Sequence, residues 1–170
     1  MRTTVIGANS YIARNLIHIL DKEGHELFLY DYQEVHADNI GNYSRINLLD
    51  CQDVQKVRMD AELIYVFVGK TGTVQGFENP DEFIDVNEKS LLHILNEYVR
   101  QKSNAKVVFP STRLVYRGMP GCLSEDAEKE FKTVYAVNKY ACEQYLKMYE
   151  NVYGVRYVVF RICVPYGTLI

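Results

Sequence analysis

Six short apolar runs, separated by stretches of helical periodicity, constrain this chain more than any other feature. They are Thr3–Ile6, Glu26–Tyr30, Ser44–Leu48, Leu63–Val68, Lys106–Pro110 and Arg156–Ile162. Strand-length apolar runs that alternate with longer helical patterns are the signature of β-α units and of a parallel sheet covered on both faces. The expected fold class is α/β, one doubly wound parallel sheet of about six strands.

The helices between them carry their own punctuation. Ile12, Leu16, Ile19 and Leu20 form an apolar stripe that ends at Gly24, as a helix packed on a sheet does. Asn79-Pro80-Asp81-Glu82 combines a capping side chain, a first-turn proline and two carboxylates, which predicts a helix from Asn79 to about Gln101. A third helix is expected over Lys132–Tyr149, with Val134, Val137, Ala141, Tyr145 and Met148 on one face,. Gly69–Phe77 and Arg117–Ser124 are turn-rich and follow strands, so they are the candidate loops over a ligand,.

Composition excludes several classes. A chain of 170 residues, 48% hydrophobic, has material for one buried core,. Its net charge of −3, with Lys and Arg dispersed, offers no field for nucleic acid,. Cys51, Cys122, Cys142 and Cys163 lack any C-x-x-C spacing, and are expected to be buried free thiols,. His18, His25, His36 and His93 lack ligand spacing, so no metal is expected,. No apolar run approaches membrane-spanning length and no charged leader precedes the first strand, which predicts a cytoplasmic chain,.

Two sets of residues point to chemistry. At the first strand-to-helix turn, Gly7 supplies a tight bend, and the amides of Ser10, Tyr11 and Ile12 open a helix that can take a pyrophosphate,. Ser10 and Ala13 stand where two further glycines of a phosphate-binding fingerprint would be,. Asp31 ends the second strand, at the distance where a carboxylate accepts from an adenosine ribose, and it would repel a 2′-phosphate,. NAD is thus expected over NADP.

The second set is Tyr135 and Lys139, one helical turn apart and downstream of Ser111-Thr112 at a strand end,. A phenol is a poor base at neutral pH, so Lys139 is expected to lower its pKa while Thr112 holds a substrate oxygen. Tyr98 and Lys102 have the same spacing. They precede the hydroxyl-bearing strand, and order along the chain favours Tyr135.

Together these residues resemble the extended short-chain dehydrogenase/reductase family, in its NAD-dependent nucleotide-sugar epimerase/dehydratase group, whose fold is Rossmann-like. Gly7 to Leu16 resembles its glycine turn. Asn47-Leu48 lies where the family contacts adenine, usually through an Asp, and Phe67-Val68-Gly69 lies where an apolar-Ala-Gly turn borders the nicotinamide ribose. Asn87 matches the structural Asn. Phe109 to Tyr116 resembles Ser-Ser/Thr-x-x-Val-Tyr, making Thr112 the matched hydroxyl, and Tyr135 to Lys139 matches Tyr-x-x-x-Lys. Arg113-Leu114 replaces the Asp-Glu pair of dehydratases, so dehydration is not expected. Val164 replaces an Asn that touches the sugar nucleotide.

The resemblance implies hydride transfer at a sugar hydroxyl or ketone by an epimerase or ketoreductase, with Thr112, Tyr135 and Lys139 catalytic and NAD as cofactor. It also implies a nucleotide-sugar substrate, pairing of two chains through the helices of Asn79–Gln101 and Lys132–Tyr149, and a C-terminal substrate domain that these 170 residues do not include. The alternative is a non-catalytic dinucleotide-binding or scaffold module of the same fold.

Overall fold

Alternation across the central strands assigns each side chain to one of two cores. In β1 (Arg2–Ile6), Val5 joins Leu27 and Leu29 on one face, whereas Ile6 joins Phe28 and Tyr30 of β2 (Glu26–Asp31) on the other. The first face is covered by α1 (Tyr11–Lys22) through Ala13, Ile17 and Leu20. The remaining strands are β3 (Asn42–Arg45), β4 (Leu63–Val66), β5 (Lys106–Thr112) and β6 (Arg156–Ile162), all parallel, in the order β3-β2-β1-β4-β5-β6. That order reverses between β1 and β4, the switch point where doubly wound sheets bind ligands. The computed structural model describes residues 1–167.

The other helices follow in chain order. They are α2 (Cys51–Val54), α3 (Thr73–Glu78), α4 (Pro80–Ile84), α5 (Ser90–Arg100) and α6 (Val134–Tyr153). Leu91, Ile94 and Leu95 of α5, with Cys142 and Leu146 of α6, fill the second core. Thr133 caps α6 by accepting from the Ala136 amide at 3.0 Å, and Gly154 ends it at φ 71°.

Several expected boundaries are corrected. The third strand is Asn42–Arg45 rather than Ser44–Leu48, because Asn47 Oδ1 accepts from Leu49 N and Asp50 caps the unforeseen α2, which turns the chain away. The fourth strand stops at Val66 rather than Val68. β5 runs through Pro110 to Thr112, since pairing with β4 ends at Val108 and a missing N–H is tolerated beside a free edge,. The helix expected over Asn79–Gln101 is broken by a π-helical turn, Asp85–Lys89, and the Gly69–Phe77 loop contains α3. α6 starts later and ends later than Lys132–Tyr149. Among the cysteines only Cys142 is buried; Cys51, Cys122 and Cys163 sit at a helix start or outside the sheet and are exposed.

Gly7 is hemmed in by backbone. Its φ is +82°, and a Cβ there would lie 2.7 Å from the Phe67 carbonyl carbon and 2.8 Å from its oxygen. Those are backbone atoms, so no side-chain rotation relieves the clash. Gly7→Ala is expected to lower stability by about 2–4 kcal/mol, read from urea midpoints at unchanged slope.

Candidate functional site

A cleft of about 1080 Å³ opens along the carboxyl ends of β1, β2 and β4. Gly7, Ser10, Asp31, Asn47, Leu48, Val68 and Gly69 line it, so seven of the residues expected to bind a dinucleotide are brought to one surface. Tyr11 and Ile12 are not among its lining residues. The Tyr11 hydroxyl donates instead to the Gly167 carbonyl at 3.0 Å. Ser10 is the N-cap of α1 without capping it, and its hydroxyl is buried with no hydrogen-bond partner.

Asp31 accepts from the amides of Asn9 at 2.9 Å and Tyr32 at 2.8 Å, which welds the end of β2 to the glycine turn. Two neighbours escaped the sequence reading. Asn9 pins the loop after β2, donating to the Val35 carbonyl and accepting from Ala37 N. Arg45, the register partner of Asp31, lines the same cleft and donates to the Tyr32 carbonyl at 3.0 Å. Lateral strand register carries no local signal, which is why neither was visible. Beneath the loop, the Arg14 guanidinium holds the Asp38 carboxyl down at about 2.

Lys139 is not among the lining residues of the cleft, nor are Thr112 and Tyr135; it sits behind the wall that Val68 and Gly69 form. Its ammonium, on a residue 3% exposed, donates to the Val68 carbonyl at 3.4 Å and lies 4.5 Å from the Phe109 ring centre. It sits 3.3 Å from where a Cβ on Gly69 would project. Burial pushes its pKa down to about 8. Asn87, in the π-helical turn, accepts from Lys70 N at 2.7 Å and donates to the Lys70 carbonyl and to Asn138. Asn87 thus fixes the Gly69-Lys70 turn rather than lining the cleft. In the π turn the Asn87 carbonyl accepts from the Cys142 thiol at 3.1 Å.

Tyr135 lies in the first turn of α6, with the Lys139 ammonium 5.9 Å from its ring centre. The expected lowering of its pKa is not found. Burial raises the phenol above its ordinary value, and the ammonium sits by the ring rather than at the hydroxyl. Thr112 closes β5, and its Oγ1 accepts from Leu114 N at 3.2 Å, which leaves the hydroxyl proton free to be donated. The alternative pair is dispersed: the buried Tyr98 hydroxyl donates to the Ala105 carbonyl, and Lys102 follows α5 at φ 53°.

A family model described as the NAD dependent epimerase/dehydratase family matches residues 3–169. The chain belongs to that family. It is 28% identical over 164 residues to a putative UDP-glucose 4-epimerase of Methanocaldococcus jannaschii, covering 88% of this chain and 52% of that protein. It is 21% identical to a CDP-paratose 2-epimerase of Salmonella typhi, covering 98% of this chain and 58% of that protein. The fold matches that of a Thermus thermophilus UDP-glucose 4-epimerase in complex with NAD, with a TM-score of 0.85 at 23% identity, over 95% of this chain and 54% of that one. A Bacillus cereus UDP-glucuronic acid 4-epimerase, in complex with UDP-glucuronic acid and NAD, gives 0.84 at 21% identity, over 95% of this chain and 56% of that one. The epimerase-family chain thus spans about half the length of the curated relatives it matches.

A buried ammonium makes stability depend on pH. Between about pH 8 and 10.5 the unfolded chain binds a proton at Lys139 that the folded chain does not, so this group's destabilising effect is complete below pH 8 and fades as pH rises,. Lys139→Met is therefore expected to be the more stable protein at pH 7, by about 3 kcal/mol at most. Its advantage should shrink towards pH 9, measured by urea unfolding of both proteins across that range.

Proposed function

We propose that the chain is the cofactor-binding part of an NAD-dependent nucleotide-sugar epimerase or ketoreductase. The observation that carries this reading is the place of one buried ammonium, Lys139, which bonds the Val68 carbonyl in the wall of the dinucleotide-sized cleft and lies 5.9 Å from the Tyr135 ring centre. Thr112 ends the strand against which Lys139 packs.

The residues fit a dinucleotide. The unpartnered Ser10 hydroxyl and the first-turn amides of α1 suit a pyrophosphate, and Asp31 suits a ribose diol,. Asn47 and Leu48 would border the base, and Val68 and Gly69 the nicotinamide ribose, with Lys139 behind them. NAD bound there supplies a hydride acceptor. Toward the substrate, the Thr112 hydroxyl donates to the reacting sugar oxygen. Tyr135 exchanges the proton of that oxygen, and Lys139 holds a positive charge beside the phenol ring. Arg113-Leu114 supplies no carboxylate acid or base, which argues against a dehydratase,.

The raised phenol pKa favours a second reading, a dinucleotide-binding module without turnover. Three exposed free thiols support a reducing, cytoplasmic setting for either,. Exposed Val137, Met148 and Val152 on α6 support pairing of two chains through that helix, which sedimentation at micromolar concentration tests,.

Calorimetry is expected to give tighter binding of NADH than NADPH, and Asp31→Ala should weaken NAD roughly tenfold. Preference for NADPH would reject the role of Asp31. Tyr135→Phe is expected to leave NAD affinity nearly intact and to abolish reduction of bound coenzyme by nucleotide sugars, followed at 340 nm. Unaltered turnover in that variant would reject the catalytic assignment.

A further inference from the structure

The end of β5 is poorly held by its own sheet. Pairing with β4 covers only Lys106 to Val108, so Phe109 to Thr112 pair with β6 alone. β6 is itself the outermost strand and is only partly covered, with Phe160 54% exposed. A strand end in that position is free to move unless something outside the sheet fixes it.

Glu143 is placed to do so. It lies on α6 one turn beyond Lys139 and two turns beyond Tyr135, and it is 7% exposed. Its Oε1 accepts from Ser111 Oγ at 2.5 Å and from Arg161 Nε at 3.0 Å, and its Oε2 accepts from Arg161 Nη2 at 2.6 Å. Ser111 and Arg161 are register partners across β5 and β6, so one carboxylate spans both strands. The remaining guanidinium nitrogen donates to the Tyr116 hydroxyl at 2.6 Å and to the Glu125 carbonyl at 3.0 Å, which draws in the loop beyond the strand. The pairing with Glu143 pushes the Arg161 pKa up. Every donor that faces the carboxylate is thus matched, as a buried charge requires.

We propose that Glu143 is a positioning residue that clamps the Ser111–Thr112 strand end to the helix carrying Tyr135 and Lys139. Ser111 is bonded directly. Thr112 follows it and is locked in turn by the Leu114 amide, so the clamp fixes where the Thr112 hydroxyl stands relative to the phenol. The role assigned to Thr112 rests on the epimerase reading, whereas the clamp itself rests on geometry.

Amide hydrogen exchange by NMR tests the clamp without requiring turnover. Glu143→Gln and Ser111→Ala are expected to speed exchange across Phe109–Leu114 roughly tenfold while leaving the amides of β1 and β2 unchanged. Ser111→Thr, which restores the hydroxyl, should restore protection. Unchanged rates at Phe109–Leu114, or an equal rise in β1, would overturn the proposal. With NAD and a nucleotide sugar present, Glu143→Gln should slow the rise at 340 nm roughly tenfold or more at unaltered NAD affinity. An unaltered rate, or a loss of NAD affinity, also overturns it. A parent chain without any rise counts against the epimerase reading alone, and the exchange rates then decide the clamp.

Discussion

One ammonium, Lys139 Nζ, is buried where the carboxyl ends of β4 and β5 meet α6, and the polar interior is arranged around the cost of keeping it there. Removing a charge from water is expensive unless dipoles replace the hydration shell. Here the replacements are the Val68 carbonyl and the Phe109 and Tyr135 rings. The Val68 carbonyl points correctly only because the next turn is pinned by Asn87, which exchanges two hydrogen bonds with Lys70. Asn87 lies in the π turn, and its carbonyl accepts from the Cys142 thiol. Burial pushes the Cys142 thiol up to about 12, so it remains a neutral donor beside the ammonium. The irregular helix and the buried charge thus meet in one network of contacts.

That network separates what is legible in the sequence from what is not. α1, β5 and α6 could be read because their signals are local: an apolar stripe ending at Gly24, an apolar run ending in Ser111-Thr112, and the spacing of Tyr135 and Lys139. Asp31 was readable as well, because a carboxylate at the end of a second strand is a positional signal. The π turn at Asp85–Lys89 was not, since the partners of its Asn87 lie some 50 residues away in α6, at Asn138 and Cys142. Arg45 and Glu143 were missed for the same reason, each defined by strand register rather than by neighbours in the chain. The phenol pKa was misjudged because spacing sets proximity along a helix but not how deeply the ring is buried.

A second, open cleft of about 1200 Å³ lies behind α6, lined by Arg113, Leu114, Tyr116, Phe160 and Arg161 among others. It is larger than the cleft at the switch point, but Lys139 touches only the wall of the latter, at Val68 and Gly69, and volume alone would misdirect a search for chemistry. Its walls are β6 and the excursion after the 3-10 turn Arg113–Val115, tied down by the Tyr116–Lys129 bridge and the Arg117–Glu128 pair. Partly covered Tyr157, Val159 and Ile162 contrast with the fully buried residues of β1 and β2. The sheet is therefore finished at its β1–β5 centre and less well covered at β6.

The departures from the family's usual residues follow the same division. Gly7 is kept where the backbone demands it, at φ +82° and against the Phe67 carbonyl. Ser10 has φ −70° and ψ 152°, a conformation open to any residue, so the fold loses nothing with a side chain there and the cleft gains a hydroxyl. Ala13 is fully buried against Val5, Leu27 and Leu29, where only a small residue lets α1 approach the sheet,. The degraded fingerprint thus keeps each physical requirement of a phosphate turn while changing its letters. Arg113, Leu114 and Val164 are different, because all three are exposed, and no packing constraint accounts for them. The departures at the turn are thus confined to what its geometry permits, whereas those at Arg113, Leu114 and Val164 lie where the fold dictates nothing.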